Sequence, residues 1–301
     1  MSIRTQEELR KDPNNKPLVI YHNNCPDGFA AAWAIDQRFG PVDLHPANYG
    51  EEPPYEKAKG KRVFVVDFSY PRSFLEALSV HADRLTLLDH HKTAEKDLEG
   101  LQEDLNLISP LDEIVFDMNR SGAGIAWDYA FPGSEKRPWL IDYVEDRDLW
   151  RFNLPYSKEV SLVIRTTPYT ISAFSNLSVR DFQEIVQEGK GQLKYINHYC
   201  ENVSQFAYNG RLAGYSCVYV NVTYTGISDV LHKLLEDNPD YPMACGYFYD
   251  GITQKVRVSL RSREPFDCSQ VAQKFGGGGH PQASGFVAHA GDWYNKIYWD
   301  K

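Results

Sequence analysis

Leu87-Leu88-Asp89-His90-His91-Lys92 carries an apolar run, LTLL, straight into one carboxylate and two imidazoles. A buried strand does not need that ending for stability. Adjacent histidines after a strand point in different directions, so one can ligate a metal while the other faces a substrate, with the carboxylate orienting a ring. Taken alone, the triplet also suits a pair of exposed loop histidines.

Two runs upstream end in the same way: RVFVV leads into Asp67, and LVIY leads into His22 with Asp27 close behind in Tyr21-His22-Asn23-Asn24-Cys25-Pro26-Asp27-Gly28. A carboxylate after five buried residues is costly unless it is paired or bound to a metal. Asp67 alone could equally be a helix N-cap before Pro71, and His22 and Asp27 could serve a loop and a cap. The recurrence of ligand types at successive strand ends favours the chemical reading. Helix-compatible stretches, Phe29 to Arg38 and Ser73 to His81, separate the runs, which predicts an α/β lobe with a mainly parallel sheet flanked by helices. Such sheets bind ligands at the carboxyl ends of their strands, which would gather Asp67, His90 and their neighbours in one crevice.

Carboxylates with imidazoles suit manganese, and a pair of such ions can activate water and steady the oxygens of a displacement at phosphorus. Asp146, in Tyr143-Val144-Glu145-Asp146-Arg147-Asp148, is a further candidate ligand, although an acidic helix end is commonly just solvated. EIVFD at 113–117 is followed by a small-residue turn, Ser121-Gly122-Ala123-Gly124, and by the helical stretches IAWDYAF and PWLIDYVED. Arg120 and Ser121 at that turn are candidate substrate contacts.

The length of 301 residues suits two lobes. A polar helix, EGKGQLKYINHYCENVSQFAY, is expected to join them, dividing the chain into a catalytic domain at 1–190, a linker helix at 191–208 and a substrate-binding domain at 209–301. In the last of these, RLAGYSCVYVNV, MACGYFYDG and KVRVSLRSR alternate as strands do, while ISDVLHKLLED and DCSQVAQKF read as helices, which gives a smaller mixed α/β lobe. Phe275-Gly276-Gly277-Gly278-Gly279-His280-Pro281 can expose backbone N–H groups as an anion-binding nest, a use that fits His280-Pro281 better than a plain linker does. Arg257, Arg261 or Arg263 could add charge to it.

Hydrophobic residues at 42%, charged residues at 24% and the absence of a long apolar stretch point to a soluble chain with no membrane association. MSIRTQEELRKDPNNK has no secretory pattern, and five scattered cysteines without a C-x-x-C pair suggest neither disulfides nor structural zinc, so a reducing cytoplasm is expected. The formal charge of −9 argues against wrapping long nucleic acid and leaves room for a small anionic substrate.

In their order along nearly the whole chain these segments resemble the DHH phosphoesterase family. His22 to Gly28 is similar to its first motif, Asp67 to its second, Asp89-His90-His91 to the third, Ser121 to Gly124 to a small-residue motif, and Asp146 to the closing acidic motif. Gly276 to His280 is similar to the motif of the DHH-associated C-terminal domain, the branch of RecJ-type exonucleases, oligoribonucleases and cyclic-dinucleotide phosphodiesterases. The resemblance implies a manganese-dependent hydrolase with two ions, for which magnesium or cobalt would substitute. His22, Asp27, Asp67, His90 and Asp146 would hold metal, and His91 with Asp89 would stand at the scissile phosphate. Arg120, Ser121, Arg261, Gly277, Gly278, Gly279 and His280 would bind substrate.

One departure stands out, because the family usually places two acids in its first motif and here Asp27 is flanked by Cys25 and Phe29. His22 could compensate, Cys25 could ligate as thiolate, or the second ion could bind weakly. The implied activity is cleavage of linear dinucleotides such as pGpG or pApA, and of short oligoribonucleotides, to mononucleotides. The alternatives are removal of phosphate from adenosine 3′,5′-bisphosphate, cyclic-dinucleotide cleavage, or a nucleotide sensor with weakened catalysis. A homodimer is a family-level expectation.

Overall fold

A computed structural model describes residues 16–133, 136–296 and 298–299; the N-terminal segment read above as lacking a secretory pattern lies, up to residue 15, outside them. The chain divides into two compact units, Met1–Gln192 and Leu193–Lys301, with the helix Phe182–Ser204 including the boundary. Among the described residues no helix is long and apolar enough to cross a membrane.

The first unit is built on a parallel sheet of β1 (Leu18–His22), β2 (Asp43–Ala47), β3 (Arg62–Val66), β4 (Arg84–Asp89) and β5 (Glu113–Phe116), in the order β2-β1-β3-β4-β5. The apolar runs are continuous because both faces are buried. Leu18, Ile20, Val63, Val65, Leu85 and Leu87 enter one core, and Val19, Tyr21, Phe64, Val66 and Leu88 enter the other. On the second face the helix Pro26–Phe39 packs Phe29, Trp33 and a run of alanines against the helix Gly122–Ala130, with Trp33 stacked on Trp127 at 5.9 Å between ring centres. That packing sets the first turns of both helices beside the ends of β1 and β3.

β2 was not among the strands expected from the sequence. Its residues, DLHPA, are half-exposed or exposed up to the buried Ala47 and include a proline, as an edge strand pairing only with β1 allows.

The second unit holds a mixed sheet in the order β10-β11-β9-β8-β7-β6-β12. Its strands are β6 (Tyr208–Leu212), β7 (Tyr215–Asn221), β8 (Met243–Asp250), β9 (Lys255–Ser262), β10 (Gly278–His280), β11 (Ala283–His289) and β12 (Tyr298–Trp299). Only β7 and β8 pair in parallel, and the helix Ile227–Asp237 covers one face. RLAGYSCVYVNV is thus a hairpin, bent at Ala213-Gly214, where both residues have positive φ. The fold is α/β with a parallel sheet in the first unit and a smaller mixed sheet in the second, as the sequence predicted.

Candidate metal centre

In the strand order β2-β1-β3 the chain reverses direction of winding between β1 and β3, the place where open α/β sheets open a crevice at their carboxyl ends. His22 ends β1, Asp67 follows β3, and Asp89 ends β4 with His90 and His91 directly after it. Asp67 lies in the left-handed region at φ 52°, a conformation that a short polar side chain tolerates better than a bulky one, and its N–H donates to the Leu88 carbonyl at 2.9 Å. Its backbone is therefore fixed by the neighbouring strand.

His90 is the centre of the cluster. Its Nε2 lies 3.0 Å from Asp67 Oδ1, 3.6 Å from Asp27 Oδ2 and 3.6 Å from Asp148 Oδ2. The other oxygen of Asp67, Oδ2, faces His22 Nδ1 at 3.6 Å, so one carboxylate lies between two imidazoles. Asp27 is held from behind by the helix Gly122–Ala130, whose first N–H groups, on Gly122 and Ala123, donate to its two oxygens at 2.6 and 2.9 Å. A side chain at 122 would strike Asp67 Cβ at 2.5 Å, which is why this turn is glycine.

Asp89 serves the next residues along. It accepts from the Ser69 hydroxyl at 2.5 Å, from the His90 N–H at 2.7 Å, and from His91 Nδ1 at 2.7 Å. His91 is thereby committed through Nδ1 to a buried carboxylate, which sets its tautomer and orientation. Tyr49, its ring 5.6 Å from that of His22 and 6.5 Å from that of His91, also borders the cluster, and no sequence signal marks it.

The electrostatics follow from four aspartates packed around three imidazoles. Burial pushes Asp27 well above the usual carboxylate range, and repulsion from Asp67 and Asp148 adds to it. Burial opposes charge on Asp67 too, but His22 and His90 overcome it and hold its carboxyl well below that range. Burial likewise opposes a charged His90, and the surrounding carboxylates, Asp67 first, raise it well above an ordinary imidazole. Asp67 Oδ2 is buried and accepts no hydrogen bond, an expense that a cation beside it would remove. Donor atoms of Asp27, His90 and Asp148 lie within 4.8 Å of one another, as do those of His22, Cys25 and Asp67. Carboxylate oxygens with imidazole nitrogens in such groups fit divalent cations.

Not every expected residue joins the cluster. Asp146 does not: its carboxylate accepts from Asn153 N at 2.9 Å, Leu154 N at 3.3 Å and the Ser157 hydroxyl, and so ties down the 153–157 loop. Asp148, two residues on and at the end of the helix Trp139–Asp148, takes the place expected of it. Positions two apart on a helix face nearly opposite ways, so only one of these acids can reach the site. Ser121 is a buried N-cap that accepts from Gly124 N, and Arg120 is bound to Asp128 at 2.7 Å and to the Gly124 carbonyl, so both support the turn holding Asp27.

In the second unit, Gly278–His280 is not an open nest but an edge strand paired to β11. A Cβ would meet the Gly285 carbonyl at 2.0 Å from Gly277 and the Ala283 carbonyl at 2.6 Å from Gly279, so the glycines permit close strand approach. Arg261, on β9, donates to Ser228 Oγ at 2.6 Å and to the Leu260 carbonyl at 2.8 Å.

Residues 214–297 match the DHHA1 domain. The chain is 27% identical to the uncharacterized protein R106 of Acanthamoeba polyphaga mimivirus, over 95% of this chain and 72% of that one. Among solved structures it is similar to the pGpG-specific phosphodiesterase PggH of Vibrio cholerae, with a TM-score of 0.51 at 12% identity over 93% of this chain and 96% of that one. It is similar also to RecJ of Thermus thermophilus in complex with Mn2+, with a TM-score of 0.50 at 15% identity over 96% of this chain and 52% of that one. The chain thus shares the fold of these two structures and, over 214–297, carries the DHHA1 domain.

Proposed function

We propose that this protein is a metal-dependent phosphodiesterase that hydrolyses linear dinucleotides, such as pGpG or pApA, and short oligoribonucleotides to mononucleotides, with manganese as its ion and magnesium or cobalt as substitutes. The observation that carries the reading is Asp67, buried at the carboxyl edge of a parallel sheet with one oxygen on His90, and the other facing His22 and accepting no hydrogen bond. The fold it shares with a pGpG-specific phosphodiesterase and with a manganese-bound RecJ supports the choice of reaction and ion.

Asp27, Asp67, His90 and Asp148, with His22, would hold the ions. When bound, divalent ions supply the positive charge that eases ionisation of water and offsets charge at phosphorus. The chain's own part is orientation and proton transfer. Asp89 fixes His91 through Nδ1 and raises its pKa against the opposing effect of burial, which favours the protonated ring whose Nε2 would give a proton to the leaving oxygen as the P–O bond breaks. The oxygen of water adds to phosphorus, the proton that water releases replaces the one given by His91, and the products are a mononucleotide carrying the terminal phosphate and a partner with a free hydroxyl. Arg261 and the edge strand carrying Gly277 to His280 are proposed to bind the nucleotide, His280 contributing its ring to a phosphate or base.

The test is release of mononucleotide from pGpG, pApA, a five-nucleotide RNA and adenosine 3′,5′-bisphosphate, with manganese or chelator, by wild type and His90→Ala. Manganese-dependent cleavage that the variant loses supports the proposal. Binding of nucleotide with no turnover of any of the four would replace it with a sensor.

A further inference from the structure

We propose that the two cation positions of this centre are chemically unequal, and that His22, Cys25 and Asp67 form a thiolate-containing site for a zinc-type cation beside an oxygen-and-imidazole site for manganese. The inference rests on the cation-binding half of the proposed function and names what the departure in the first motif does.

The geometry divides the donors into two sets. Asp27, His90 and Asp148 form one, in which His90 meets Oδ1 of Asp67; His22 and Cys25 form the other with Asp67 itself, whose Oδ2 faces His22. Asp67 turns one oxygen toward each set, as a carboxylate shared by two cations must. In the second set the donor atoms already lie within 4.8 Å of one another, a separation that small side-chain rotations reduce to ligand spacing. Asp67 is 1% exposed, and its Oδ2, the atom on this side, accepts no hydrogen bond.

Cys25 sits where another residue type is expected. It is the N-cap of the helix Pro26–Phe39, a position that favours Ser, Thr, Asp or Asn, and its side chain closes no cap hydrogen bond. The other four cysteines are all buried in apolar cores of the second unit. Ligand chemistry then decides the cation. Carboxylate and imidazole without sulfur suit manganese, whereas a set of one thiolate, one imidazole and one carboxylate favours zinc and its spectroscopic stand-in cobalt over manganese.

The experiment is titration of the chelator-stripped full-length chain with cobalt(II), followed by absorbance and by metal analysis after gel filtration. Wild type should bind two equivalents, one of them bringing a near-ultraviolet thiolate-to-cobalt charge-transfer band, and should retain only one equivalent when manganese alone is supplied. Cys25→Ser should lose the band and one equivalent while keeping the other. Serine is a preferred N-cap, so the helix start is kept, and the retained equivalent reports an intact fold. Two equivalents of cobalt without the band, or a band unchanged in Cys25→Ser, would overturn the inference and leave the phosphodiesterase reading standing. A band lost in Cys25→Ser together with no hydrolysis by the zinc-and-manganese protein would uphold the inference and sink the phosphodiesterase reading instead.

Discussion

Asp67 Oδ1 lies 3.0 Å from His90 Nε2, and both side chains are almost completely buried. The pair leaves the other carboxylate oxygen, Asp67 Oδ2, buried without a hydrogen bond. Asp67→Asn tests its importance with little disturbance of backbone, since asparagine also tolerates the left-handed conformation at this position. The variant should keep its circular dichroism and lose manganese-dependent turnover. Manganese at about a hundred times its dissociation constant should stabilise wild type by ~2.7 kcal/mol in thermal or urea unfolding, and should stabilise the variant much less.

Asp146 and Asp148 should separate stability from metal binding. Asp146 spends both oxygens on the 153–157 loop, so Asp146→Asn sets an amide NH2 against donors and should destabilise the first unit by about 1–3 kcal/mol in urea unfolding. Asp148→Asn should leave the unfolding midpoint of the chelated protein nearly unchanged and weaken manganese binding at least about tenfold, the loss that follows removal of even an outer partner of a metal ligand. The reverse pattern would return the ligand role to Asp146.

That pair marks where sequence reading stops. The strands before His22, Asp67 and Asp89 were legible because a parallel sheet buried on both faces requires unbroken apolar runs, and polar residues stand out at their ends. DLHPA was not legible, since an edge strand needs neither alternation nor apolar length. YVEDRD offers acids two residues apart, and choosing between them takes the helix phase, which the composition of the segment does not contain. The strand at the glycine run was not legible for a related reason: without side chains, Gly278 and Gly279 show no period, and their pairing with β11 is a backbone property.

Asp89 and His91 predict a pH window for stability. Burial opposes charge on each, but His91 holds Asp89 below the ordinary carboxylate range and Asp89 raises His91 above the ordinary imidazole range. The Asp89 contribution is complete above its unfolded pKa of about 3.9 and is lost as pH falls through its lowered folded value. The His91 contribution is complete below its unfolded pKa of about 6.5 and is lost as pH rises through its raised folded value. With chelator present, the difference in unfolding free energy between wild type and His91→Gln should therefore be flat from about pH 4 to 6.5 and decline on both sides. A difference that keeps growing toward alkaline pH would mean that the pair is not charged in the folded chain.

Gly122 couples the scaffold to the chemistry. Its N–H holds Asp27 at 2.6 Å, and the space a methyl group would need is occupied by Asp67, whose Cβ would lie 2.5 Å from that methyl and whose Cα would lie 3.0 Å from it. Neither neighbour is the far end of a flexible chain, so Gly122→Ala must push the helix Gly122–Ala130 and the residue after β3 apart. Overpacking of this kind costs roughly 1–3 kcal/mol, and here it would also pull Asp27 away from Asp67 and His90. The variant should fold with a lowered unfolding midpoint and show a larger proportional loss in manganese affinity than in stability, read by titration calorimetry beside urea unfolding. Ala123→Gly, one residue on, changes the same helix turn without intruding on Asp67, and should keep the affinity of wild type. If both variants lose affinity equally, the loss comes from the helix start as a whole and not from the contact with Asp67.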